Sequence, residues 1–238
     1  MEVVSIKVMR GPNYWSTYRK QLIVMKIDLK DSEETPTNKI NGFAERIEAL
    51  MPSLYEHRCS EKKPGGFLKR IRKGTWLGHV IEHVALELQS LAGMPCGFGR
   101  TWSTEKKGVY HVVFAYQVES AGKYAAKAAF NIVQSLNNNE AYDIKKDIDE
   151  LVRINRYEGI GPSTQSILNA AKKRKIPFKR LDNNSLVMLG QGVNQKIIEA
   201  LQRWSLEKEI TELRLQVYNE NTCAIKAYEK AGVFKTHY

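Results

Sequence analysis

His79-Val80-Ile81-Glu82-His83 forms a H-x-x-E-H pentad. On a helix it sets two imidazoles one turn apart on one face, with Glu82 on an adjacent part of that face. Imidazoles at i and i+4 can share one Zn2+, whose tetrahedral sphere then needs a third protein ligand and keeps a position for water. Bound zinc lowers the pKa of that water from about 15.7 to near 7, and Glu82 stands where it can take the proton, so the chemistry would be metal-assisted amide hydrolysis. Glu119, at the start of the helix that follows the next strand, is the expected third ligand. Glu87, four residues beyond His83, points along the same face and reads as a hydrogen-bond partner of an imidazole rather than a ligand. The competing account is a half-buried helix whose histidines only satisfy hydrogen bonds. Against it stands the apolar setting: Trp76, Leu77, Val80, Ile81, Val84 and Leu86 surround the pentad, and a buried glutamate there is costly without a metal or proton partner.

The elements that must position these residues follow from periodicity and turn chemistry. Val3 to Val8 and Leu22 to Leu29 read as strands separated by the turn Gly11-Pro12-Asn13. Apolar residues at 43, 44, 47 and 50 predict a helix closed by Pro52. Phe67 to Leu91 is helical with an interruption at Gly74-Thr75, Gly93 to Arg100 is a glycine-rich loop, and Gly108 to Tyr116 is a strand. Helices are predicted over Ser120 to Leu136 and Ile144 to Ile154. A hinge at Gly159 to Thr164 leads into a helix from Gln165 to Lys175, a short strand near Phe178 to Leu181, a glycine turn at Gly190-Gln191-Gly192, and then helix, strand and helix to Lys230. The expected class is α+β: an amino-terminal domain of sheet packed with helices over 1–160, followed by a small α/β segment.

The whole chain has 238 residues and a formal net charge of +11, with 42% hydrophobic and 26% charged residues. Those proportions describe a cored globular protein and exclude a disordered or collagen-like one. No apolar run approaches the roughly 20 residues of a membrane span, no signal-peptide plan opens the chain, and three widely spaced cysteines form neither a disulfide framework nor a four-cysteine zinc site. A cytoplasmic protein with no membrane partner is expected. The basic excess is diffuse: 24 Lys and Arg against 19 Asp and Glu in residues 1–160, and 13 against 7 beyond. No zinc-finger, RNP-type or helix-turn-helix signature accompanies the clusters at 69–73 and 172–180, so nucleic acid is not an expected partner.

Several longer strings carry a family resemblance: Arg10 to Ser16, Leu22 to Leu29, Gly66-Phe67-Leu68, Gly74 to Gln89, Ala92 to Thr101, Gly161 to Thr164 and Leu189 to Lys196. Together they resemble the amino-terminal domain of cyanophycin synthetase, with residues 161–196 resembling the start of its ATP-grasp segment. Full-length members build a poly-aspartate chain bearing arginine side chains by ATP-dependent ligation. No G-x-x-x-x-G-K-[ST] loop occurs here, so polymer synthesis by this chain alone is not expected. The resemblance implies cyanophycin as partner, and in many members a metallopeptidase-like site that trims cyanophycin into primers. His79, Glu82 and His83 fall on that site, with Zn2+ as the implied cofactor. Such a polymer presents guanidinium groups and an anionic carboxyl end. Arg70, Arg72 and Arg100 are the expected cationic contacts, and Trp76 and Trp102 are faces on which guanidinium planes can stack. A binding scaffold without catalysis is the alternative, and self-association into a homo-oligomer is compatible with either.

Beyond Lys196 the chain resembles something else. Leu213 to Gly232, with its Asn-x-x-Ala-x-x-x-Tyr helix, is similar to the close of a GNAT-family N-acetyltransferase, with Tyr228 at the position often used as general acid. Gly190 to Asn194 approximates that family's pyrophosphate loop, with Asn194 in place of its last glycine. The segment 197–238 therefore reads as a remnant without the strands that shape a substrate side, and acetyl transfer from acetyl-CoA is a further alternative.

Overall fold

The computed structural model describes residues 1–18, 21–181 and 186–190. The chain parts into two compact units between Asn155 and Arg156, and its fold is α+β. The first unit is built on an antiparallel sheet of β1 (Glu2–Met9), β2 (Leu22–Asp28), β3 (Gly99–Ser103) and β4 (Val109–Ala115), in the order β1-β2-β4-β3. Its helices are α1 (Phe43–Leu50), α2 (Gly66–Lys73), α3 (Leu77–Leu91) and α4 (Glu119–Asn137), and α5 (Ile144–Glu158) begins in it.

Side chains alternate across a strand, so β2 serves two faces. Ile23, Met25 and Ile27 enter the main core with Val112 and Phe114 of β4 and the apolar faces of α3 and α4. Leu22 and Val24 turn the other way, where Val113 and the loop residue Trp15 cover them. α3 is buried over nearly its whole length, and a left-handed Gly93 (φ 79°) follows its end. Two turns of 3-10 helix, Pro52–Glu56 and Cys59–Glu61, precede α2.

β3 lies where the sequence reads as glycine-rich loop and polar run. Its strand character comes from pairing with β4, Arg100 opposite Val113 and Trp102 opposite His111, which local composition does not announce. In the second unit the glycine-proline hinge starts a helix rather than only preceding one. α6 runs Pro162–Lys173 with Pro162 in its first turn, where a fixed φ and a missing N–H are harmless. It is followed by an antiparallel pair, β5 (Phe178–Arg180) and β6 (Val187–Leu189). The acetyltransferase-like tail at 197–238, with Tyr228 and the elements expected there, lies outside the described residues. Among the described residues no helix is long and apolar enough to cross a membrane.

The approach of α4 to the sheet depends on a missing side chain. A Cβ on Gly122 would lie 2.7 Å from Tyr116 Cβ and 3.0 Å from Ile23 Cγ1. Both neighbours belong to the rigid sheet side of the core, so Gly122→Ala should destabilise the fold by about 1–3 kcal/mol through overpacking, despite alanine's better helix propensity. Urea unfolding of the variant against the wild type checks it.

Candidate metal centre

The interrupted helical stretch becomes two helices because Gly74 takes a φ of 106° that other residues resist. The turn it makes places Thr75 at the foot of α3, where Thr75 Oγ1 lies 3.0 Å from His79 Nδ1. One turn higher, His83 Nε2 lies 3.2 Å from His79 Nε2. Phe67 of α2, fully buried, walls the pair: its ring stacks on His83 with centroids 3.9 Å apart and meets His79 edge-on at 5.8 Å.

The segment before α2 brings two further side chains to this pair. Cys59 Sγ lies 3.5 Å from His79 Nε2, and His57 Nδ1 lies 2.8 Å from His83 Nδ1. The segment is folded tightly on itself. Gly65 N–H donates to Tyr55 O, Phe67 N–H donates to His57 O, and a Cβ on Gly66 would collide with the Arg58 carbonyl. Cys59 itself has a φ of 45°, a left-handed conformation uncommon outside glycine that the surrounding structure must enforce. His57 Nε2 reaches Glu87 Oε2 at 2.7 Å, which is the imidazole contact expected of Glu87.

Among the described residues, Cys59, His79 and His83 offer ligand atoms that all lie within 4.8 Å of one another. A tetrahedral zinc with bonds of about 2.0–2.1 Å to nitrogen and 2.3 Å to sulfur requires N···N and N···S edges of about 3.3 and 3.6 Å. The observed 3.2 and 3.5 Å meet both. Burial pushes His79 down to about 4, helped by the charge of Arg70. Burial also pushes His83 well below its ordinary value, helped by His79 and His57. Both are therefore neutral near pH 7, the form that ligates metal.

Glu82 is buried beside this group but faces β3. Thr101 Oγ1 donates to its Oε2 at 2.7 Å, and its Oε1 occupies the space a side chain at Gly99 would need. Burial raises its pKa to about 7, against the opposing hydrogen bond from Thr101 and the charge of Arg100. Burial also raises Glu87, but hydrogen bonds from His57 and Ser53 more than offset it and leave Glu87 below its ordinary value.

Glu119 opens α4, as expected of it, and its carboxylate is held by Arg10 Nε at 2.5 Å, Arg10 Nη2 at 2.7 Å and Lys123 Nζ at 2.6 Å. It is not among the residues whose ligand atoms converge. Arg72 pairs with Glu48. Arg70 acts on the site through its charge at His79, and Arg100 lies 5.3 Å above the Trp102 ring on β3. Cys59, His57 and Thr75 carry no pattern in the sequence that marks them. The available signal is a histidine and a cysteine two positions apart, upstream of a Gly-Gly turn.

Residues 24–138, a span that holds β3, β4, most of β2 and this cluster, match the family described as Cyanophycin synthase-like N-terminal domain. The chain thus carries a segment that matches that domain. A stretch of 203 residues, 84% of the chain, is 47% identical to the cyanophycin synthetase of Synechocystis sp. (strain ATCC 27184 / PCC 6803 / Kazusa) and covers 23% of it. The same stretch length is 45% identical to the cyanophycin synthetase of Geminocystis herdmanii (strain PCC 6308), covering 23% of it. It is 47% identical to that of Trichormus variabilis (strain ATCC 29413 / PCC 7937), covering 22% of it. The chain thus spans less than a quarter of the length of these curated relatives.

The clamp on Glu119 makes a pH-dependent contribution. Its hydrogen bond to Arg10, opposed by burial and aided by Lys123, holds its pKa near 2 against an ordinary 4.5. A depressed folded-state pKa gives stability that is present above about 4.5 and lost as pH falls toward 2. Glu119→Gln should therefore cost roughly 0.5–1 kcal/mol at pH 7, the range of a surface ion pair, and only a small part of that at pH 2. Urea midpoints at the two pH values read the difference.

Proposed function

We propose that this chain is a cyanophycin-binding domain that hydrolyses the polymer at a zinc centre held by Cys59, His79 and His83. The observation that carries the reading is the convergence of one thiol and two neutral imidazoles, with the His79–His83 and His79–Cys59 separations at the edge lengths of a zinc tetrahedron. The donor set of sulfur and nitrogen suits zinc and is unsuited to magnesium or calcium. Three protein ligands leave a position for water or a substrate carbonyl, and zinc bound there supplies a water of lowered pKa and a polarised carbonyl.

The chain's own residues supply the rest. Thr75 fixes the ring of His79, and Phe67 fixes that of His83. Glu82, with a pKa of about 7, can both accept and return a proton near neutrality, as a general base that later acts as acid must. Thr101 holds one of its oxygens, the other lies against Gly99 of β3, and the exchange requires the carboxylate to turn from β3 toward the metal ligands. The charges of Arg70 and Arg100, felt at His79 and Glu82, suit the carboxyl end of an aspartyl backbone, and Trp102 offers a face for a guanidinium plane. Cyanophycin as the ligand is supported by the family that residues 24–138 match and by the names of the chain's relatives.

A scaffold that binds without cleaving is the second reading, favoured by the turn of the Glu82 carboxylate toward Thr101. Zinc-loaded protein incubated with insoluble cyanophycin separates the two. The hydrolase reading expects soluble peptides to be released by the wild type, and Glu82→Gln to lower release by about 10²–10⁴-fold while co-sedimentation with the polymer stays unchanged. Co-sedimentation without release identifies the scaffold. Release that survives Glu82→Gln removes Glu82 as the base.

A further inference from the structure

We propose that Glu87 and His57 form a positioning relay that holds His83 in the tautomer whose Nε2 is free to bind metal. The inference rests on the zinc reading above. It concerns two residues outside the H-x-x-E-H pentad, and it follows from which atoms can carry hydrogen.

An ionised carboxylate only accepts, so Glu87 Oε2, 2.7 Å from His57 Nε2, requires the hydrogen on His57 Nε2. A ring with a single hydrogen, placed there, has its lone pair on Nδ1. That lone pair faces His83 Nδ1 at 2.8 Å, so the hydrogen of this contact belongs to His83 Nδ1. His83 Nε2 is left as a lone pair directed toward His79 Nε2, 3.2 Å away. On the other side the Thr75 hydroxyl, 3.0 Å from His79 Nδ1, can accept from Nδ1–H, the tautomer that leaves His79 Nε2 as a lone pair too. The reverse order, with hydrogen on His83 Nε2, needs a hydrogen on His57 Nδ1, and in a ring with one hydrogen that sets His57 Nε2 against Glu87 lone pair to lone pair. The relay is also fixed in space. The side chains of His57 and Glu87 are 16% and 8% exposed, and the His57 carbonyl is tied to Phe67 N–H. Partners that orient a ligating histidine through its second nitrogen commonly account for a 10- to 100-fold share of metal affinity.

The test is the Zn2+ affinity of the 238-residue chain, read by competition with a chromogenic chelator. His57→Leu and Glu87→Leu should weaken binding about 10- to 100-fold. His57→Gln, whose amide oxygen can still accept from His83 Nδ1–H, should stay within about threefold of the wild type. Leucine variants with wild-type circular dichroism and wild-type affinity would overturn the relay while leaving the zinc site intact. A wild type that fails to bind Zn2+ overturns the zinc reading and the relay with it. Should the leucine variants not fold, ¹⁵N imidazole shifts of the zinc-loaded wild type decide. Hydrogen on His83 Nδ1 supports the relay, and hydrogen on His83 Nε2 overturns it.

Discussion

The Nε2 atoms of His79 and His83 face each other across 3.2 Å in a largely dehydrated pocket, and most of the local structure serves to keep them there. Two imidazole lone pairs at that separation repel unless a cation lies between or beside them. α3 supplies the spacing, since i and i+4 stack on one face. α2 supplies Phe67 as a wall, and the turns between α1 and α2 supply Cys59 and His57. The sheet presses on the opposite face of α3, where Gly78 passes within 3.3 Å of Ile27 and Thr101 side chains for any Cβ built there. The helix therefore has little freedom to roll and separate the pair.

That arrangement opposes stability in the absence of a ligand. Burial holds both histidines neutral and raises Glu82 to about 7, so three polar groups are desolvated, against which stand their contacts with Thr75, His57 and Thr101. A ligand that binds only the folded state offsets such a cost by mass action. The left-handed Cys59 adds backbone strain of the sort that persists only where surrounding contacts over-determine it. The segment from Tyr55 to Phe67 provides them, through backbone hydrogen bonds such as Gly65 N–H to Tyr55 O and Phe67 N–H to His57 O, and the glycine at 66.

The parts of this design that depend on local geometry were legible in the sequence. α1 has the bounds its apolar spacing implies, the break at Gly74-Thr75 divides α2 from α3, and the histidine pair follows from helical repeat alone. What depends on chain closure was not. Cys59 stands 20 residues before His79 in a turn with no periodicity, and one of three scattered cysteines carries no signal of its own. β3 is a strand because β4 lies beside it. Glu119 has the helix-start position reasoned for it, but Arg10, 109 residues earlier, was not visible as its partner. Glu87 was recognised as an imidazole's partner, while the imidazole concerned, His57, enters from another element.

X-ray absorption at the zinc edge of the metal-loaded chain tests the central geometry most directly. One sulfur at about 2.3 Å and two imidazole nitrogens at about 2.0–2.1 Å, with a light atom completing the sphere, are the predicted shell. A shell without sulfur, or one with a single imidazole, would contradict the convergence of Cys59, His79 and His83 on one ion.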